Sequence, residues 1–303
     1  MAATLNTILF LLIFFCSFFH GSFSCSFTVA NNCPHTIWPG TQAGAGTPQL
    51  PTTGFELESG GKVRISAFPG WSGRIWARTG CSFDESGNGT CQTGDCGQRL
   101  ECNGNGAAPP TSLFEITLGK GNDKDFYDVS IVDGYNLPLI AMPYGVYGVC
   151  NATGCVTDLN LGCPKELQVM DEADSGGVVA CKSACEAFGL DQYCCSGEFA
   201  NPTTCKPSSY STVFKQACPR VYSYAFDDGT STFTCKAYEY TITFCPSVNG
   251  VMRTNGISIP PPAYQGRTPF YQDGIGDVVG MVSSSNILSL PMSILLLLIL
   301  HFF

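Results

Sequence analysis

Eighteen cysteines in 303 residues constrain this chain more than any other feature of its sequence. Thiols at that density do not suit a reducing cytosol and point to an oxidising, secreted route. From Cys33 onward there are sixteen, an even number. Free pairing of sixteen allows roughly two million connectivities, so spacing alone assigns none. Adjacent Cys194 and Cys195 should reach different partners, because a bridge between chain neighbours closes a strained ring. A zinc site would need paired Cys-x-x-Cys or Cys/His sets. With both chain ends removed, His35 is the one histidine left and no such set exists, so no metal is expected.

Both ends read as addresses. Residues 1–24 carry no Asp, Glu, Lys or Arg, and residues 9–19 are almost wholly apolar. With Ser22 and Ser24 before a cut, this is the pattern of a secretory signal peptide spanning 1–24. At the other end, residues 294–303 read ILLLLILHFF, preceded by an eight-residue spacer and by Ser283, Ser284 and Ser285. Small residues, a spacer and an apolar tail form a GPI-anchor signal, with attachment at one of those serines and 284–303 removed. Pro291 and the short run argue against a spanning helix. Residues 247–283, with Pro260, Pro261 and Pro262, read as a Pro/Gly-rich stalk. The folded unit is therefore 25–246, on the extracellular face of the plasma membrane or in the cell wall.

Within it, short alternating segments dominate. Residues 62–66 alternate polar and apolar, and Arg74, Trp76 and Arg78 fall on one face of a second strand. Further strands are expected at 27–30, 113–118, 126–132, 221–226 and 239–245, separated by Gly, Pro and Asn clusters. Helical spacing comes late, at Cys181, Ala184, Cys185 and Phe188, and again at Tyr210, Val213, Phe214 and Ala217. The expectation is a mainly β fold: a sandwich core with a cysteine-bracketed, partly helical insertion. The core takes about 25–78, 111–156 and 219–246, the insertion 157–218, and a small disulfide loop region 79–110.

The segment Gly87-Asn-Gly-Thr-Cys91-Gln-Thr-Gly-Asp-Cys96-Gly-Gln-Arg-Leu-Glu-Cys102 closely resembles the thaumatin signature. Asn31-Asn-Cys33-Pro-His-Thr-Ile-Trp-Pro39 is similar to the opening of plant thaumatin-like proteins of the pathogenesis-related type. Trp71-Ser-Gly-Arg-Ile-Trp-Ala-Arg-Thr-Gly-Cys81, Gln192-Tyr-Cys-Cys195 and Cys218-Pro219 match as well. The resemblance covers about 25–246. It implies the pairs Cys33–Cys245, Cys81–Cys91, Cys96–Cys102, Cys150–Cys235, Cys155–Cys218, Cys163–Cys181, Cys185–Cys194 and Cys195–Cys205. Cys25 is left over, retained at the mature N-terminus, with capping or intermolecular pairing open to it. Asn88 and Asn151 each head an Asn-x-Thr glycosylation sequon.

The resemblance also implies an acidic cleft between the β core and the helical part. Matched motif by motif, it is lined by Arg74, Glu115, Asp128, Asp133 and Asp227, the last with Asp228 beside it. Crowded carboxylates repel, so one should stay protonated. Glu115 is the expected general acid and Asp133 or Asp128 the base or nucleophile, with Arg74 holding one carboxylate ionised. Two carboxylates suffice for glycoside hydrolysis, whereas a Ser-His-Asp triad would have to use His35 beside Pro34. No P-loop or dinucleotide fingerprint occurs, so no cofactor is expected.

Charge narrows the partners. Fifteen Lys and Arg against 24 Asp and Glu give a net charge of −9, which excludes nucleic acid. Three functions remain. One is binding of β-1,3-glucan, or a related wall polysaccharide, by a defence-related antifungal protein. Another is weak endo-hydrolysis of the same polymer. The last is an anionic surface that engages basic proteins or a membrane. A monomer is expected throughout.

Overall fold

The computed structural model describes residues 25–147, 150–171 and 176–247. The signal segment, most of the stalk, and the anchor signal with Ser283, Ser284 and Ser285 lie outside the described residues. The chain divides into two compact units, Met1–Gln265 and Gly266–Phe303, and every described residue falls in the first.

Thirteen strands are present among the described residues. They are β1 (Cys25–Asn31), β2 (Trp38–Ala43), β3 (Lys62–Ala67), β4 (Ser72–Arg78), β5 (Ser82–Phe83), β6 (Gly89–Thr90), β7 (Leu113–Thr117), β8 (Asp125–Ser130), β9 (Leu139–Tyr147), β10 (Thr153–Cys155), β11 (Gln168–Met170), β12 (Val178–Cys181) and β13 (Phe233–Phe244). The helices are α1 (Ala184–Phe188), α2 (Asp191–Cys194), α3 (Ser209–Ala217) and α4 (Asp228–Ser231). The long strand β13 joins two layers. Its first residues, Phe233–Cys235, pair with β8. After a register shift at Lys236, the rest pairs with β9 on one side and β1 on the other. One layer thus runs β2-β4-β7-β8 onto the start of β13, and the other collects β3, β1, β9 and β10 around its remainder. A strand that changes sheets through an irregularity is how sandwich corners are turned.

Aromatic rings fill the space between the layers. Phe27, Trp71, Phe114, Tyr127 and Tyr240 are each at most 1% exposed, with Phe27–Trp71 centroids 5.3 Å and Tyr127–Tyr240 centroids 5.1 Å apart. Alternation on β4, β7 and β8 sends Ile75, Phe114, Ile116, Tyr127 and Val129 into this core. The opposite face carries Arg74, Trp76 and Arg78 from β4. Region 79–110 caps one end of that face. Trp76 donates its indole N–H to Gly94 O at 2.9 Å, and a Cβ at Gly40 would come within 2.6 Å of the same ring. Arg78 is fully buried and bonded to main-chain carbonyls on both sides.

All eight disulfides form as the resemblance implies, and Cys194 and Cys195 do diverge. Each contributes about 2–4 kcal/mol, without simple additivity. Cys25 is unpaired and buried in β1, where desolvation pushes its thiol up to about 12. Asn88 is exposed, and Asn151 is half-buried.

Two expected elements differ, and two of the longer strands were not expected. Residues 221–226 form no strand; Tyr222 makes one parallel bridge to Ser130, and then Ser223 turns to bond Asp227. The spacing from Cys181 to Phe188 is split, because Cys181 ends β12 and Ser183 caps a short helix through Glu186 N. Strands β2 and β9 carry Pro39 and Pro143, which argue against strands by sequence. Each proline lies where no regular strand pairs on one flank: residues 53–57 meet β2 there only through isolated bridges at Ile37 and Gly40, and β10 covers β9 only at Leu139–Ala141.

Candidate functional site

Strand register builds the site. Gln42 pairs with Arg74, Arg74 with Glu115 and Glu115 with Asp128. One row of side chains therefore crosses β2, β4, β7 and β8 on the face away from the core. The next row is Ser72, Thr117, Phe126 and Thr234. Residues directly opposite in antiparallel strands bring their Cβ atoms to about 4.5–5.5 Å, so each row is a continuous surface. The two rows floor an open groove of 560 Å³ with Gly44 and Ala45 at its margin, a volume within the usual range of ligand sites.

Charge is graded along the first row. Arg74 Nε donates to Glu115 Oε1 at 2.7 Å in a partly exposed ion pair. Asp128 is more deeply buried. Burial first, and then the neighbouring Glu115 charge, push its carboxyl up to about 8, against the pull of Arg74. Its Oδ1 is buried without a hydrogen-bond partner, which a neutral acid tolerates far better than an ion. Glu115, the expected general acid, is ion-paired to Arg74, whereas burial and the Glu115 charge favour the neutral form of Asp128.

The other two matched aspartates lie elsewhere. Asp133 is exposed in the turn closed by Gly134 N to Ile131 O at 3.1 Å. Its charge acts on Glu186 of α1, whose carboxyl is raised by burial first and then by Asp133. Asp227 is tied to Lys215 Nζ at 2.9 Å and to the Ser223 amide and hydroxyl. Neither lines the groove. The acidic residue whose field reaches Asp128 from this region is Asp228, which accepts from the Tyr222 hydroxyl at 2.7 Å. Tyr222 is itself raised to about 12, by burial and by the Asp228 and Asp128 charges, so it stays a donor. Among these additions Phe126, 55% exposed beside Asp128's strand neighbours, is the aromatic most open to a ligand. Its place on the Asp128 face was legible from alternation, but its company with Ser72 and Thr117 depends on register.

Among the described residues no group of three His, Cys, Asp or Glu side chains could hold a metal ion, and no helix is long and apolar enough to cross a membrane. The groove can accept hydroxyl hydrogen bonds, stack one apolar face of a ligand and donate a proton from a neutral carboxyl.

Comparison with known proteins gives a consistent family. The sequence model of the Thaumatin family matches residues 31–246. Thaumatin-like protein 1 of Arabidopsis thaliana is 55% identical over 244 residues, covering 76% of this chain and 92% of the relative. Pathogenesis-related protein 5 of the same plant is 59% identical over 220 residues, covering 73% and 90%. Among solved structures, a laminaripentaose-producing β-1,3-glucanase in complex with laminaritetraose aligns over 74% of this chain and 99% of its own, with TM-score 0.52 and 12% identity. That last likeness is one of fold.

Proposed function

This chain belongs to the thaumatin family, and from that premise we propose that it is a defence-related, antifungal protein that binds β-1,3-glucan in the Arg74–Glu115–Asp128 groove. The observation that carries the reading is the pair of adjacent rows. Carboxylates and the Gln42 amide accept and donate to sugar hydroxyls, while Phe126 offers a ring to the C–H face of a pyranose. Ser72 and Thr117 add hydroxyls between them, 2.9 Å apart. The fold is shared with a β-1,3-glucanase held with laminaritetraose, which makes β-1,3-glucan the first polymer to test. Eight disulfides suit an extracellular setting.

One observation favours a second reading, slow endo-hydrolysis. A neutral Asp128 directly across from an ion-paired Glu115 is the split between acid and carboxylate that glycoside cleavage needs. Insoluble β-1,3-glucan separates the two. Wild type and Glu115→Gln are expected to be retained alike, with no reducing sugar released. Sugar released by wild type and abolished in Glu115→Gln would establish hydrolysis instead. If neither protein is retained, the groove is not a glucan site.

The reading places the protein at the outer cell surface as a monomer, on a GPI anchor attached at Ser283, Ser284 or Ser285. Phosphatidylinositol-specific lipase is expected to move it from expressing cells into the medium, and retention on the cells would contradict the anchor.

A further inference from the structure

A second groove, of 690 Å³, lies between the segment after Cys33, the turn at Leu137 and β12. It shares no lining residue with the acidic groove. Cys245 contributes to its wall and is bridged to Cys33, while Cys163–Cys181 pins the end of β12. The walls are therefore held in place before any ligand arrives, which lowers the ordering cost of binding.

Three groups in this groove keep hydrogen-bonding capacity that their structural contacts leave unused. Trp38 is partly buried, with its ring 6.5 Å from that of Phe83. Trp71 and Trp76 donate their indole N–H to Pro48 O and Gly94 O, whereas Trp38 finds no acceptor among the described residues. Asn160 is the second feature. Its amide donates to Asn136 O at 3.1 Å and Val179 O at 3.2 Å, so a flip would set oxygen against two carbonyls. With the orientation fixed, Asn160 Oδ1 is a buried acceptor without a donor, an arrangement that costs stability unless a ligand or water completes it. The third is Asp158 at the rim, whose carboxylate accepts from Asn160 N at 3.0 Å and keeps its remaining capacity.

We propose that this groove is a second saccharide site, taking a neutral pyranose oligosaccharide. A sugar ring presents a C–H face to Trp38 and to the Val178 and Val179 wall, a hydroxyl donor to Asn160 Oδ1, and an oxygen acceptor to the Trp38 N–H. A peptide fits less well. It would add to an open strand edge, and the edge beside Trp38 is taken, since Ile37 and Leu57 exchange main-chain hydrogen bonds of 3.1 and 2.9 Å. An anionic ligand would face Asp158 with no Lys or Arg in the lining. The two grooves are independent, so either reading survives the failure of the other. Together they would let one molecule hold two chains of wall polysaccharide.

Tryptophan fluorescence tests this site selectively. The chain has three Trp, and Trp71 and Trp76 are 1% and 0% exposed, so acrylamide quenching reports Trp38. Laminarihexaose, cellohexaose and xylohexaose serve as probes at about 10 mM, which nearly fills a ~1 mM site. At least one of them is expected to cut the quenching constant by about half in wild type and equally in Phe126→Ala, in which the first groove is weakened. The protection should vanish in Thr36→Arg, which fills the groove from one wall, and in Val178→Arg, which fills it from the other. Two such variants guard against one failing to fold. The proposal is overturned if no sugar protects Trp38, if protection survives both arginines, or if hexaproline protects and the sugars do not.

Discussion

Replacing Asp128 with Asn should raise stability by roughly 4 kcal/mol or more at pH 8.5 while changing it little at pH 3. The carboxyl sits at about 8 in the fold and returns to its ordinary 3.8 when the chain unfolds. Below 3.8 both states hold the proton, and the buried acid carries no charge penalty. Between 3.8 and 8 the unfolded chain ionises while the folded one does not. Wild type therefore loses about 1.4 kcal/mol per pH unit from this group across that window. Above 8 the loss is complete. Asn stays neutral throughout, so the gap between variant and wild type widens from pH 4 and levels off above 8. Urea unfolding at pH 3, 5.5 and 8.5 reads this directly. A gap that stays constant with pH would show that Asp128 is ionised in the fold. The same substitution removes the acid that any hydrolysis would require.

The second large effect concerns Arg78. This side chain is fully buried and donates to Trp38 O at 2.9 Å, Arg99 O at 2.7 Å and Leu100 O at 2.7 Å. The Phe83 ring lies over its guanidinium at 5.4 Å. Burial lowers the group from 12.5 to about 10, so it remains charged at neutral pH, with Asp95 and Glu101 supporting the charge. It joins β2 to the disulfide loop that caps the face beyond the groove. Arg78→Met fills similar volume but leaves those carbonyls without a donor, and should cost about 3 kcal/mol or more. Arg78→Lys should recover only part of that, because an ammonium lacks the planar fork that spans separate acceptors. Urea midpoints of the three proteins test this. A methionine variant within about 1 kcal/mol of wild type would mean the loop is held by its disulfides and packing alone.

Much of this architecture was legible in the sequence, and the exceptions have physical causes. Local alternation located β3, β4, β7 and β8, because a half-buried strand writes its period into adjacent residues. The disulfide pairs came from resemblance; spacing had left them open. Strands β2 and β9 escaped because a proline argues against a strand unless one flank needs no regular ladder, and what lies on that flank is a tertiary fact. The same limit governs the site. Glu115 and Asp128 were named, yet the row from Gln42 to Asp128 depends on three strand registers that no local pattern contains. Which carboxyl is neutral follows from burial, and burial of Asp128 depends on how neighbouring elements cover β8. Asp227 and Asp228 are chain neighbours with different partners, Lys215 for one and Tyr222 for the other. One residue of offset separates a structural ion pair from a charge that reaches the groove.

The central claim is that the two rows on β2, β4, β7 and β8 form a glucan-binding surface. Titration calorimetry with laminarihexaose tests it most directly, performed in the Thr36→Arg background so that the second groove adds nothing. Loss of the Phe126 ring removes one stacking contact, so Phe126→Ala should weaken binding about tenfold, equivalent to about 1.4 kcal/mol. Glu115→Gln should change it by less than about threefold, because an amide still accepts from a hydroxyl. An affinity indifferent to Phe126, or no measurable binding by the parent, would contradict the account.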